Sequence, residues 1–117
     1  MSNSDGSRGG ASDGGCPWLW VTAVDGGRYR LVGELDLAAA PVLCAALAGC
    51  DGDIELDCSE LTFIDAAGIG ALLAVYKACG RRGAKLSIAN PSRPLLRLAD
   101  LGGFVLPLDG SLQNSTP

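Results

Sequence analysis

The period of the apolar pattern switches back and forth along one stretch of this chain, and that switching limits the fold more than any single residue does. Asp53 to Cys58 alternates strictly, with Ile54, Leu56 and Cys58 on one side and Glu55 and Asp57 on the other. That is the pattern of a half-buried strand. From Ala66 to Cys79 the period lengthens: Ile69, Leu72, Leu73, Tyr76 and Cys79 form a helical stripe, and Gly80 supplies a stop. Lys85 to Ala89 alternates again, with Leu86 and Ile88 on one face. Strand, helix and strand in that order make parallel neighbours joined by a right-handed crossover.

The remaining segments extend this unit on both sides. Trp18 to Val24 reads as a strand, Asp25-Gly26-Gly27 as a tight turn, and Tyr29 to Leu35 as the return strand. Pro41 suits the first turn of a helix, where its missing N–H costs nothing. Leu43, Ala46, Leu47 and Cys50 give that helix a face, and Gly49 and Gly52 bracket its end. Asn90-Pro91-Ser92 is a turn and cap before a third helix carrying Leu95, Leu96, Leu98 and Leu101. Phe104 to Leu108 reads as a last short strand at an edge, because Pro107 cannot donate to a ladder.

The order is β-β-α-β-α-β-α-β. A sheet covered on both faces has continuously apolar strands, and these alternate. The expectation is therefore one α/β domain with a mixed, mostly parallel sheet. Its strand order advances steadily, its helices lie mainly on one face and its other face is open. The domain is expected over residues 17–109. Residues 1–16 read as a disordered N-terminal tail and residues 110–117 as a flexible C-terminal tail. A chain of 117 residues suffices for one such core.

Composition removes several function classes. Nine basic residues against thirteen acidic ones leave a net charge of −4, which disfavours a nucleic-acid surface. There is no histidine, so the usual general base, the Ser/His/Asp and Cys/His triads and the commonest metal ligand are missing. No phosphate loop occurs, and Gly68-Ile69-Gly70 is only half of a dinucleotide fingerprint. The expectation is a non-enzymatic protein without metal or cofactor. No run approaches the roughly twenty apolar residues of a membrane span, and residues 1–15 contain no apolar stretch. A cytoplasmic location with reduced thiols follows. The cysteines at 16, 44, 50, 58 and 79 include no Cys-x-x-Cys pair and read as small core hydrophobes. Cys44, Cys58 and Cys79 fall on core faces and are expected to be buried, with Cys16 the most accessible.

The informative stretch is Asp53 to Leu73. Here a strand, a short polar connection and the apolar Phe63-Ile64 lead to Asp65, a candidate N-cap. Gly68 and Gly70 follow early in the helix, at about 1 kcal/mol each relative to Ala. Close approach of another backbone is one reason for them, and a flat docking surface is another. Asp36 likewise either ends its strand and caps the next helix or belongs to a partner surface.

The run Ile64-Asp65-Ala66-Ala67-Gly68-Ile69-Gly70-Ala71-Leu72-Leu73 resembles the signature that opens the second helix of the STAS domain, the fold of bacterial anti-sigma factor antagonists. Gly33-Glu34-Leu35-Asp36 is similar to the family's second element, and the resemblance covers about residues 17–109. It implies a binding protein that sequesters an anti-sigma factor, an ATPase-like Ser/Thr kinase, and so frees a sigma factor. It implies neither nucleic acid nor membrane as partner. On this resemblance Gly33, Glu34, Asp36, Asp65, Ala66, Ala67, Gly68, Ile69 and Gly70 form the partner surface, and a bulky side chain at Gly68 should block docking. The family's phosphoacceptor aligns with Ala67 and its neighbouring Ser with Ala66. Neither has a hydroxyl, so the binding half of the function can persist where the switching half cannot. The resemblance also admits a scaffold or accessory STAS subunit of a stress-signalling or lipid-transport complex.

Overall fold

The computed structural model describes residues 14–103. Strands β1 (Gly14–Cys16), β2 (Leu19–Asp25) and β3 (Arg28–Leu35) come first, followed by α1 (Ala40–Leu47). Then come β4 (Ile54–Ile64), α2 (Ala66–Arg81), β5 (Leu86–Ala89) and α3 (Arg93–Gly102). Among the described residues the strands form one sheet in the order β1-β2-β3-β4-β5. The first two pairings are antiparallel and the last two parallel. The steadily advancing order is the one expected from the alternation. Strand β1 departs from the expected tail: Gly14 pairs with Val21 and Cys16 with Leu19, so backbone hydrogen bonding orders three residues that composition alone marks as polar linker. The expected strand at 104–108 and the remainder of both expected tails lie outside the described residues.

Strand β4 runs for 11 residues, straight through the segment read as a polar connection. Two register shifts against β3 explain the misreading: Arg30 faces Asp57 but Val32 faces Glu60, and Gly33 faces Leu61 but Glu34 faces Phe63. Each shift inserts an extra residue into β4, as a bulge does. Period two is therefore lost after Cys58, and Cys58, Leu61 and Ile64 reach the core at a spacing of three.

One face of the sheet carries the core. Leu19, Val21, Leu31, Leu35, Leu56 and Leu61 pack there with Leu43 and Leu47 of α1, Ile69, Leu72, Val75 and Cys79 of α2, and Leu95 of α3. The other face carries charged pairs next to the exposed Trp20 and Val24. Arg28 meets Glu55 at 3.5 Å and Arg30 meets Asp57 at 3.9 Å, both exposed enough to add little stability. Burial pushes the Asp57 carboxyl up, but the Ser59 N–H and hydroxyl, Arg30 and the Asn90 side chain outweigh it and hold the group below its ordinary value.

Several facing assignments need correction. Val75 is buried where Tyr76 was expected, and Tyr76 and Leu73 lie at the rim of the α2 stripe. Helix α3, whose leucines carried no facing assignment, buries Leu95 and Ala99 and exposes Leu96 and Leu101. Helix α1 buries Leu43, Ala46 and Leu47, which leaves Cys44, about 100° round from Leu43, only half-buried. Cys16 and Cys50 are half-buried too. Cys58 and Cys79 are fully buried, as expected. Burial, with a smaller contribution from the Asp57 charge, pushes the Cys58 thiol up to about 12. At pH 8 a soluble thiol reagent should therefore leave Cys58 and Cys79 unmodified in the native protein and modify both after unfolding, with mass spectrometry of digested samples as the readout. Native labelling of Cys58 at the rate of Cys16 would show the packing to be wrong.

Candidate functional site

Two segments meet at one end of the sheet. Leu35 ends β3 and its carbonyl accepts from the Asp65 N–H at 3.3 Å. Asp65 is the N-cap of α2, in extended conformation. Its Oδ1 accepts from the Gly68 N–H at 2.9 Å and its Oδ2 from the Leu37 N–H at 3.2 Å. One carboxylate thus caps a helix and ties down the loop after β3. Asp36, in that loop, caps the turn into α1: its Oδ1 accepts from the Ala39 N–H at 2.9 Å and from the Trp18 indole N–H at 3.1 Å. Both acids are held by internal donors, so they act first as clamps.

The glycines separate into two kinds. Gly68 is buried, and a Cβ there would run into the Leu35 carbonyl oxygen and lie 2.7 Å from Ile64 Cγ1. Gly33 has φ +113°, and its Cβ would meet the Trp18 carbonyl oxygen. That same oxygen accepts from the Glu34 N–H at 2.7 Å. Gly70 is exposed with nothing within 4 Å of a Cβ. Close approach therefore accounts for Gly68 and Gly33, and only Gly70 leaves an open, flat backbone.

The nine expected surface residues divide accordingly. Glu34, Ala66 and Gly70 are exposed, and Gly33, Asp36, Asp65 and Ala67 are half-buried. Gly68 and Ile69 are buried, so neither presents a side-chain surface. A bulky residue at Gly68 would break the β3–α2 contact instead of blocking a partner. Sequence reasoning missed the exposed apolar residues at the same end. Leu37 is 73% exposed, Phe63 48% and Trp18 37%. Leu37 had a signal, an apolar residue just past the last strand position. Phe63 had none, because the β4 bulges hide which way it faces. Among the described residues no cluster of His, Cys, Asp or Glu is placed to hold a metal ion. No described helix is long and apolar enough to cross a membrane.

A one-sided β/α sheet whose second crossover helix starts on an Asp cap against the end of β3 defines a class of small interaction domains. Within that class the chain belongs to the STAS domain family, since the family model described as Mlab, STAS domain matches residues 22–107. The anti-sigma-B factor antagonist of Bacillus subtilis is 30% identical over 80 residues, spanning 66% of this chain and 73% of that protein. The crystal structure of a candidate anti-sigma factor antagonist from Thermotoga maritima superposes with TM-score 0.59 at 19% identity, covering 81% of this chain and 89% of that one. The anti-sigma factor antagonist SpoIIAA in its unphosphorylated form gives TM-score 0.56 at 17% identity, covering 83% and 94%.

The two early glycines should respond oppositely to alanine. Gly70→Ala should raise stability by up to about 1 kcal/mol, the gain in helix propensity at an open site. Gly68→Ala should lower it by about 1–3 kcal/mol, the usual range for overpacking. Urea unfolding of the two variants beside the parent checks this, and a neutral Gly68→Ala would refute the close contact.

Proposed function

We propose that the chain is a non-enzymatic regulatory binding protein of the anti-sigma factor antagonist type, acting in the cytoplasm. It sequesters an anti-sigma factor, an ATPase-like Ser/Thr kinase, and thereby frees a sigma factor. The observation that carries this reading is the start of α2. Ala66 and Gly70, at i and i+4, leave an open, nearly side-chain-free strip, and Leu37 and Phe63 are exposed apolar residues at the same end of the sheet. A flat apolar strip lets a partner's backbone approach closely, and small residues lose little side-chain entropy on burial. Glu34 adds an exposed acid to the same end, which suits a basic rim on the partner. Gly33, Asp36, Asp65 and Gly68 serve the surface by holding the two loops in register, while Glu34, Ala66, Ala67 and Gly70 meet the partner.

Ala67 stands at the phosphoacceptor-equivalent position. A phosphate there would bring about −1.5 to −2 units of charge to the strip and break the contact. Without a hydroxyl that route is closed, and the binding form persists in the presence of the kinase. A second reading is favoured by the description of the family model as Mlab. In it the same surface docks permanently in a larger assembly as a scaffold or accessory subunit.

Affinity capture with the full chain, followed by identification of the bound protein, tests the surface. Gly70→Trp fills the strip without touching the core and should abolish capture with the domain still folded. Undiminished capture by folded Gly70→Trp would sink the proposed site. The switch is tested separately with the captured partner and ATP. The parent chain should keep its mass, and Ala67→Ser should gain one phosphate and bind more weakly. Phosphate uptake by the parent would place the control elsewhere. An unmodified but bound Ala67→Ser would favour the permanent subunit.

A further inference from the structure

Beside the strip lies a second feature that the antagonist reading leaves unused. A groove of about 390 Å³ runs between the end of β4 and α3, lined by Ile64, Arg93, Pro94, Arg97, Leu98 and Leu101. We propose that this groove docks an acidic amphipathic helix of the same protein partner, its apolar side chains in the groove and its carboxylates on Arg93 and Arg97. The proposal rests on the reading above only in taking the occupant to be a protein segment.

Charge carries the inference. Arg93 and Arg97 stand at i and i+4 in the N-terminal half of α3, both exposed, and the first turn holds no acidic residue. Cations in the first turn of a helix oppose the macrodipole, so Arg93 lowers the stability of its own helix, while Arg97, one turn on, adds a second positive charge beside the groove. Arg81 of α2, by contrast, sits in a last turn, where the dipole favours it. The chain carries thirteen acidic residues, yet among the described residues Arg93 and Arg97 form no ion pair. Two cations side by side at the groove, one of them against its helix dipole and neither ion-paired among the described residues, fit carboxylates brought from outside.

Shape and position agree with this. Leu101, which lines the groove, is 78% exposed, so α3 offers apolar surface there. The volume lies at the low end of ligand pockets, about 300–1,000 Å³, which suits a few inserted side chains. Anchors at i, i+3, i+4 and i+7 are how an amphipathic helix fills such a groove. Ile64 lines the groove and directly precedes Asp65, the cap of α2. The groove and the strip thus share a border, and one partner can cover both.

The probes are two synthetic helical peptides with the same leucines at i, i+3, i+4 and i+7, one flanked by Glu and the other by Lys. Amide chemical shifts of the isotope-labelled full chain report binding. The Glu peptide should move Ile64, Arg97, Leu98 and Leu101, and the Lys peptide should bind at least about tenfold more weakly, as two lost charge pairs imply. The double variant Arg93→Glu, Arg97→Glu should reverse that preference. It should also melt at the same or a higher temperature, since acids suit a helix start. Gly70→Trp should bind the Glu peptide like the parent. Equal binding of the two peptides, no binding, or shifts outside the groove would overturn the proposal. So would arginine-dependent uptake by phosphatidylglycerol vesicles in place of the Glu peptide. In affinity capture, a double variant that retains the partner while Gly70→Trp loses it would remove the groove and leave the antagonist reading standing.

Discussion

The contact between the end of β3 and the first turn of α2 is the constraint on which the rest of this structure depends. It exists because residue 68 has no side chain. The Leu35 carbonyl oxygen and Ile64 occupy the space that a Cβ would need. Asp65 then closes the junction from the other side, with one oxygen on its own helix and one on the Leu37 N–H. A single close approach and a single carboxylate thereby set the distance, the angle and the loop conformation together. Without them α2 could still pack its stripe on the sheet, but its first turn would not be held level with the loop after β3.

That junction faces outward because the sheet is covered on one side only. Steady strand order and right-handed crossovers place the helices together, and the helix starts collect at the end of the sheet where β3 and β4 finish. In parallel α/β sheets this end is the usual place for function, since loops and free helix N–H groups gather there. Here the N–H groups are used internally: Asp65 takes that of Gly68, and Asp36 that of Ala39. What remains at the surface is the small Ala66 and Gly70 beside the exposed apolar Leu37 and Phe63, with Glu34 as an exposed acid. Such an end suits another protein better than an anion.

The fold was legible in the sequence wherever the period of apolar residues was regular. The hairpin, the crossover pair and the one-sided cover follow from alternation at Ile54–Cys58 and Leu86–Ile88 against the helical stripe of α2. Legibility stopped where a tertiary contact breaks the period. The β4 bulges turn the polar-looking Ser59–Thr62 into continuous strand and hide the exposure of Phe63. The same limit applies at the site. Asp65 could be read as a cap, because capping is local chemistry, whereas the meeting of the two motifs was implied only by the family resemblance. Whether Gly68 or Gly70 faced a backbone could not, since only the position of Leu35 decides it. Tyr76 was misplaced because a helical stripe of leucine and aromatic residues leaves its edges undefined by about one residue in each direction.

In the function proposed above Ala67 stands at the phosphoacceptor-equivalent position with Ala66 beside it, and alanine there bears on binding as well as on control. A serine in the first turn of a helix can bond to local backbone groups and competes mildly with the helix, whereas alanine is the best helix former. The alanines therefore firm up the same first turn that carries the flat strip. Preorganising a surface reduces the ordering cost at association. In that proposal the absence of an acceptor also favours the contact that phosphorylation would break. On the function proposed above, binding and control, joined at one residue in a switchable antagonist, come apart, and regulation would act through amount, through thiols or through the partner. The asymmetry of α3 points the same way. If the first contact cannot be switched off, selectivity can come from a second one, and Arg93 and Arg97 beside the groove would supply it by excluding partners that lack the matching acids.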